Sequence, residues 1–120
     1  MAGLVHDMGH GPFSHLFEHV VHEINPATLS WSHEDASVAM FDRAVQQNGL
    51  FSEFQKYGLE EADLVFIKEL VLGGEDEAPK GWVWQGRPGR EFLFEIVANK
   101  RNGIDVDKAP DTPALTPTLT

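Results

Sequence analysis

Cysteine is absent from the 120 residues, so no disulfide framework holds this chain together and no thiolate can ligate zinc. Any bound metal must sit on imidazole and carboxylate, donors that suit iron, zinc, manganese and magnesium. Long apolar runs are missing too, and none approaches the ~18–20 residues that a bilayer-spanning helix needs. The start, Met1-Ala2-Gly3-Leu4-Val5-His6-Asp7, lacks the basic and apolar regions of a secretory leader. The chain is therefore expected to act inside the cell and off the membrane. Positive charge is scarce, with 9 Lys and Arg against 19 Asp and Glu, for a formal charge of −10. That balance opposes nonspecific attraction to phosphate backbones and argues against nucleic-acid binding by bulk electrostatics. A polyanionic ligand would need local cations, which bound metal, His and Lys could supply in one pocket.

What is present is an ordinary globular balance, 42% hydrophobic and 23% charged, with room for one small domain. The periodicity is helical almost throughout and no segment alternates convincingly as a strand, so the expected fold class is all-α. Pro12 suits the first turn of a helix whose Phe13, Leu16, Phe17, Val20, Val21 and Ile24 form a stripe expected to face the core. Asn25-Pro26 ends it. Ser32 is placed to cap a second helix beginning at His33, with Val38, Phe41 and Val45 on one face and Asn48-Gly49 as its exit. After a short segment over 50–57, Glu60 and Glu61 open a helix carrying Leu64, Ile67 and Val71, stopped by Gly73-Gly74. The glycine, proline and tryptophan content of 75–90 predicts an irregular loop with aromatic anchors. Residues 91–101 return to helix, with Asn102-Gly103 as exit. Residues 109–120, mainly Pro, Thr and Ala, are expected to be a disordered tail after a domain spanning 1–108.

Five of the six histidines precede residue 23. His19 and His22 fit surface or satisfied half-core positions on an amphipathic helix, the common fate of such residues. The pair His6-Asp7 is different. A neutral imidazole beside a carboxylate makes a corner for a metal, and Gly9 and Gly11 leave backbone space beside it. A His-Asp dipeptide alone is common. Its value rises inside the string His6-Asp7-Met8-Gly9-His10-Gly11-Pro12-Phe13-Ser14-His15, which puts three imidazoles and a carboxylate on one short stretch.

That string, preceded by Ala2-Gly3-Leu4, resembles the HD-domain deoxynucleoside triphosphate triphosphohydrolases, most closely the animal-type members that join a sterile-alpha-motif domain to an HD domain. Three further blocks carry the resemblance: Trp31-Ser32-His33-Glu34, Phe66-Ile67-Lys68-Glu69, and the run from Glu95 through Asn99-Lys100-Arg101-Asn102-Gly103-Ile104-Asp105-Val106-Asp107-Lys108. They stay collinear over residues 2–108, and the first and last are unusual enough in composition to be specific. The resemblance implies a partial HD-domain helical bundle and a metal site on His6, Asp7 and Asp107. It implies that His10 contacts the substrate phosphates, that His15 gives a proton toward the departing 5′-oxygen, and that His33 with Glu18 orients this machinery. Lys108 matches the lysine that contacts phosphate beside the metal aspartate. The implied cofactor is a divalent metal, iron, zinc or manganese, with magnesium on the substrate phosphates. The implied reaction converts a deoxynucleoside triphosphate and water to deoxynucleoside and triphosphate, in a homo-oligomeric family placed in the nucleus, with the cytoplasm as the other location.

Three departures from the family pattern stand out. No histidine precedes His6. Glu18 stands where the family has aspartate, which adds a methylene and shifts the carboxylate by about 1 Å, enough to lower a rate. The Pro/Thr tail replaces an aromatic, acidic helix after Lys108. The chain is therefore expected to be a truncated piece, weak or inactive as it stands. Two other readings remain open. One is an HD phosphohydrolase with another nucleotide substrate, because a His-Asp pair does not choose the substrate. The other is a noncatalytic fragment that binds a full-length relative or a nucleotide.

Overall fold

A computed structural model of the chain describes residues 1–28 and 30–104. Among them the chain is all-α, without strands, and its helices are α1 (Ala2–Val5), α2 (His15–Ile24), α3 (His33–Gln47), α4 (Leu50–Lys56), α5 (Glu61–Leu72) and α6 (Phe92–Val97). The expected boundary at 108 and the tail 109–120 lie outside the described residues.

Helix α3 starts where its capping chemistry predicts. The Ser32 hydroxyl accepts the Asp35 backbone N–H at 3.2 Å, and Glu34 and Asp35 place negative charge in the first turn, against the positive end of the helix dipole. Helix α5 begins with a reciprocal cap, in which Asp63 Oδ2 accepts the Glu60 backbone N–H at 2.7 Å while the Glu60 side chain takes the N–H of residue 63. Leu64, Phe66, Ile67, Leu70, Val71 and Leu72 are all buried on α5. A helix apolar on so many sides is stable only in the middle of a fold, and α1, α3 and α6 pack around it. Ala2, Val5, Val38, Phe41, Val45 and Val97 complete this core, each larger side chain contributing about 1.5–3 kcal/mol by burial.

The block Phe66-Ile67-Lys68-Glu69 ties the fold together. Lys68 Nζ pairs with Asp42 of α3 at 3.0 Å. Glu69 is wholly buried and accepts the backbone N–H groups of Gln85 at 2.7 Å and Gly86 at 2.9 Å, with the Trp82 indole N–H at 3.4 Å. Residues 75–90 are accordingly irregular apart from a 3-10 turn at Glu75–Glu77, and the tryptophans anchor them as expected: Trp82 packs on the core and Trp84 lies 5.6 Å from Phe94, centroid to centroid.

Two helical expectations need correction. The first histidine-bearing helix does not start at Pro12. Phe13 and Ser14 have positive φ, 66° and 51°, a left-handed conformation that cannot propagate a right-handed helix, so α2 begins at His15. Its apolar stripe is also not in the core: α2 buries no residue, Phe13 is 85% exposed and Ile24 78%. The helix packs mainly against the 3-10 turn Pro26–Thr28 that follows it. The second correction is that α6 spans Phe92–Val97 and stops short of Arg101. Asn99 Oδ1 accepts the backbone N–H groups of Arg101 at 2.9 Å and Asn102 at 3.2 Å, a local turn that competes with the helix ladder.

Candidate active site

The turn between α1 and α2 carries the histidine string, and close packing fixes its path. A Cβ on Gly9 would lie 2.2 Å from the His33 carbonyl oxygen and 2.4 Å from the Ser37 nitrogen, so only glycine lets this turn lie on the start of α3. Gly11 is similarly covered by the Phe17 ring. The backbone N–H of His10 returns to the Asp7 carbonyl at 3.2 Å, which brings Asp7 and His10 to one side.

His6, Asp7 and His10 form a line. The Asp7 carboxylate sits between the two imidazoles, with Oδ2 at 3.2 Å from His6 Nε2 and Oδ1 at 3.4 Å from His10 Nε2. His6 Nδ1 lies 2.9 Å from the Gly3 carbonyl oxygen. A carbonyl only accepts, so Nδ1 carries a proton, and in the neutral ring Nε2 presents its lone pair to the carboxylate. Two electron-rich atoms at that spacing need a proton or a cation between them. This is also the arrangement of a metal-ligating histidine, whose second ring nitrogen is fixed by a backbone carbonyl.

Beyond this line, α2 and α3 bring three imidazoles and a carboxylate together. His10 stacks on His33 with centroids 3.8 Å apart and planes at 11°, and His15 meets both edge-on. Glu18 Oε2 accepts from His33 Nδ1 at 3.2 Å and lies 3.9 Å from His15 Nδ1; Glu34 Oε2 is 3.3 Å from the same His33 nitrogen. One donor atom from each of His10, His15, Glu18 and His33 lies within 4.8 Å of the others. Removal from water, then the nearby His33, holds the His10 imidazole below its usual value, although Asp7 pulls the other way. His10 is therefore a neutral donor near pH 7, and its Nδ1 is buried without a hydrogen-bond partner among the described residues. Imidazole and carboxylate donors with an unused buried nitrogen suit a borderline divalent cation.

His6, Asp7, His10, His15 and His33 line a cleft of about 880 Å³ together with Val71, Leu72, Val97 and Lys100. Four acidic side chains, Asp7, Glu34, Asp35 and Glu77, line it as well, so a polyanion could enter only with added positive charge. All the sequence-selected residues before 105, namely His6, Asp7, His10, His15, Glu18 and His33, thus fall in one place. Asp107 and Lys108 lie outside the described residues. His19 and His22 stay apart from the cluster: His22 Nε2 reaches the Trp31 carbonyl at 3.1 Å and His19 pairs with Glu23. Ser37 and Glu34 are site neighbours that sequence reasoning did not select. Glu34 follows His33 directly and could have been noticed, whereas nothing local marks Ser37 on α3.

No family model matches the chain. Among curated proteins it is 48% identical over 113 residues to the deoxynucleoside triphosphate triphosphohydrolase SAMHD1 of Bos taurus, covering 90% of this chain and 19% of the relative. The SAMHD1 of Gallus gallus is 49% identical over 112 residues, with 90% and 18% covered. The SAMHD1 homolog of Dictyostelium discoideum is 39% identical over 108 residues, again with 90% and 18% covered. The chain spans about a fifth of the length of these relatives. Over nine-tenths of its own length, the chain is therefore homologous to one segment of the SAMHD1-type deoxynucleoside triphosphate triphosphohydrolases.

Proposed function

We propose that this chain carries part of a metal-dependent deoxynucleoside triphosphate triphosphohydrolase site, cleaving substrate to deoxynucleoside and triphosphate. The observation that supports it best is the meeting of His10, His15, Glu18 and His33 in one cluster, directly beside the His6–Asp7 pair. His6 Nε2 and Asp7 would hold the cation, together with Asp107 as the resemblance implies. Bound there, a divalent metal, iron, zinc or manganese, lowers the pKa of a coordinated water and offsets phosphate charge. Magnesium would accompany the substrate phosphates. His10, neutral and fixed by its stack, would donate a hydrogen bond to a phosphate oxygen, and Lys108 would add a cation. His15 is exposed on the cleft wall with Glu18 near its Nδ1, a position from which an imidazole can hand a proton to a leaving oxygen. Glu18 and Glu34 hold the His33 ring in one orientation from its Nδ1 side.

A graft tests this reading. Residues 2–104 of this chain would replace the matching segment of the Bos taurus relative, and triphosphate release from dGTP would be measured with manganese present. Retained release that falls by about 100-fold in His6→Ala or Asp7→Ala supports the assignment. Release that is retained in both variants would refute it. The isolated chain, assayed alongside, should release little.

A second reading is favoured by one observation. The α2 stripe, with Leu16, Phe17, Val20 and Ile24 exposed next to exposed Phe13, is an apolar face of the kind that binds another protein. In that case the chain would be a noncatalytic fragment that docks on a full-length relative.

A further inference from the structure

Ser37 is polar, 0% exposed, and belongs to none of the groups given a chemical task above. It lies in the second turn of α3, and its hydroxyl reaches across 31 residues to donate to the His6 carbonyl at 2.6 Å. The same oxygen accepts the Gly9 backbone N–H at 2.8 Å. A hydroxyl has one proton to give, so these two bonds use it in a single orientation. We infer that Ser37 is a positioning residue that clamps the turn bearing His6, Asp7 and His10 onto α3.

The two clamped backbone groups bracket the metal corner. The His6 carbonyl belongs to the peptide leading into Asp7, and the Gly9 N–H precedes His10 by one residue. The backbone bonds of this turn are local: Met8 N–H reaches the end of α1 at Val5 at 3.2 Å, and His10 N–H reaches Asp7 at 3.2 Å. The two Ser37 bonds, by contrast, tie the turn to a long helix. The glycine at 9 is the other half of the device, since any Cβ there would push the turn off the Ser37 nitrogen. Side chains held this way need not be ordered by the ligand they bind, and a displacement of about 1 Å at such a site costs on the order of 100-fold in rate.

The inference rests on the reading of His6 and Asp7 as a metal corner only for its consequence; the clamp itself is a separate claim. The test uses chain 1–120 with isotope labelling. In Ser37→Ala the melting transition should stay cooperative, the Gly9 amide should exchange about tenfold faster, and the ring nitrogen signals of His6 and His10 should move while that of His19 stays. Ser37→Cys, close in size and a weaker donor, should fall between, and it decides the matter if the alanine variant fails to fold. The clamp is overturned if Gly9 exchange and the His6 and His10 signals are unchanged, or if all six histidines move together as in general loosening. Manganese titration separates the two claims. Broadening of the His6 and His10 signals in the parent chain, needing about tenfold more manganese in Ser37→Ala, supports both. If manganese broadens no imidazole in the parent chain, the metal reading fails, and the exchange rate and ring shifts still decide the clamp.

Discussion

Glu18 Oε2 lies 3.2 Å from His33 Nδ1, and this contact joins α2 to the first residue of α3. It explains how a helix that buries none of its residues still presents its imidazole edge to the cleft.

Glu18→Gln should keep the fold within about 0.5 kcal/mol, because an amide oxygen can still accept from His33. Glu18→Ala should cost about 1 kcal/mol, the net worth of one hydrogen bond with Glu34 left as a partial substitute. Urea denaturation of the two variants checks this. Equal losses would show that the contact does not hold α2.

Gly9→Ala should be among the most damaging small changes in the chain. Its methyl would meet backbone atoms of residues 33 and 37 at 2.2 and 2.4 Å, and backbone cannot swing aside as a side chain can. Overpacking of this kind costs about 1–3 kcal/mol or more. The matching change at Gly58, where no atom lies within 4 Å but φ is +77°, should cost only the left-handed penalty of about 1–2 kcal/mol. Comparing the two by thermal melting tests whether close approach matters beyond backbone conformation.

The core faces of α3 and α5, the Ser32 cap and the acidic start of α5 at Glu60 and Glu61 could be read from the sequence because each depends on local chemistry, whereas the reciprocal Glu60–Asp63 cap emerged only in the structure. Four of the six candidate residues before position 105, His6, Asp7, His10 and His15, stand out because one long string of unusual composition holds them, whereas Glu18 and His33 were reached only through the family resemblance. The α2 stripe misled because periodicity reports which residues share a face and not what covers that face. The start of α2 was misplaced because Phe13 and Ser14, neither glycine nor asparagine, give no sign of positive φ. Ser37 and Glu69 were missed because their partners are backbone groups far along the chain, which no local pattern announces.

The Asp63 carboxyl gives a pH dependence with a definite sign. The Glu60 backbone N–H and then the Arg87 guanidinium hold it below its ordinary value of 3.8. The folded chain therefore binds this proton less readily than the unfolded chain does. Its contribution to stability is complete above about pH 3.8 and is lost as pH falls through the folded-state value. Asp63→Asn removes this dependence. The urea midpoint should drop more steeply between pH 5 and pH 3 in the parent than in Asp63→Asn, and parallel slopes would count against the capping assignment.

The last prediction concerns Glu69, the buried carboxylate that holds residues 82–86 against α5. Glu69→Ala would leave the Gln85 and Gly86 N–H groups and the Trp82 indole without their acceptor, where the carboxylate itself is wholly buried and its three donors are partly so. Each unsatisfied donor costs about 1–3 kcal/mol, so the loss should be several kcal/mol unless the segment pulls away. Glu69→Gln keeps one acceptor oxygen and should cost about 1–2 kcal/mol. Tryptophan emission distinguishes the outcomes, because release of Trp82 into water shifts it to longer wavelength before the helices unfold. The effect should also reach the cleft, since Glu77 and Pro79, at the start of the same loop, form part of its wall. An alanine variant with unchanged emission and less than 1 kcal/mol of lost stability would show that Trp82, Trp84 and the core hold the loop without the carboxylate.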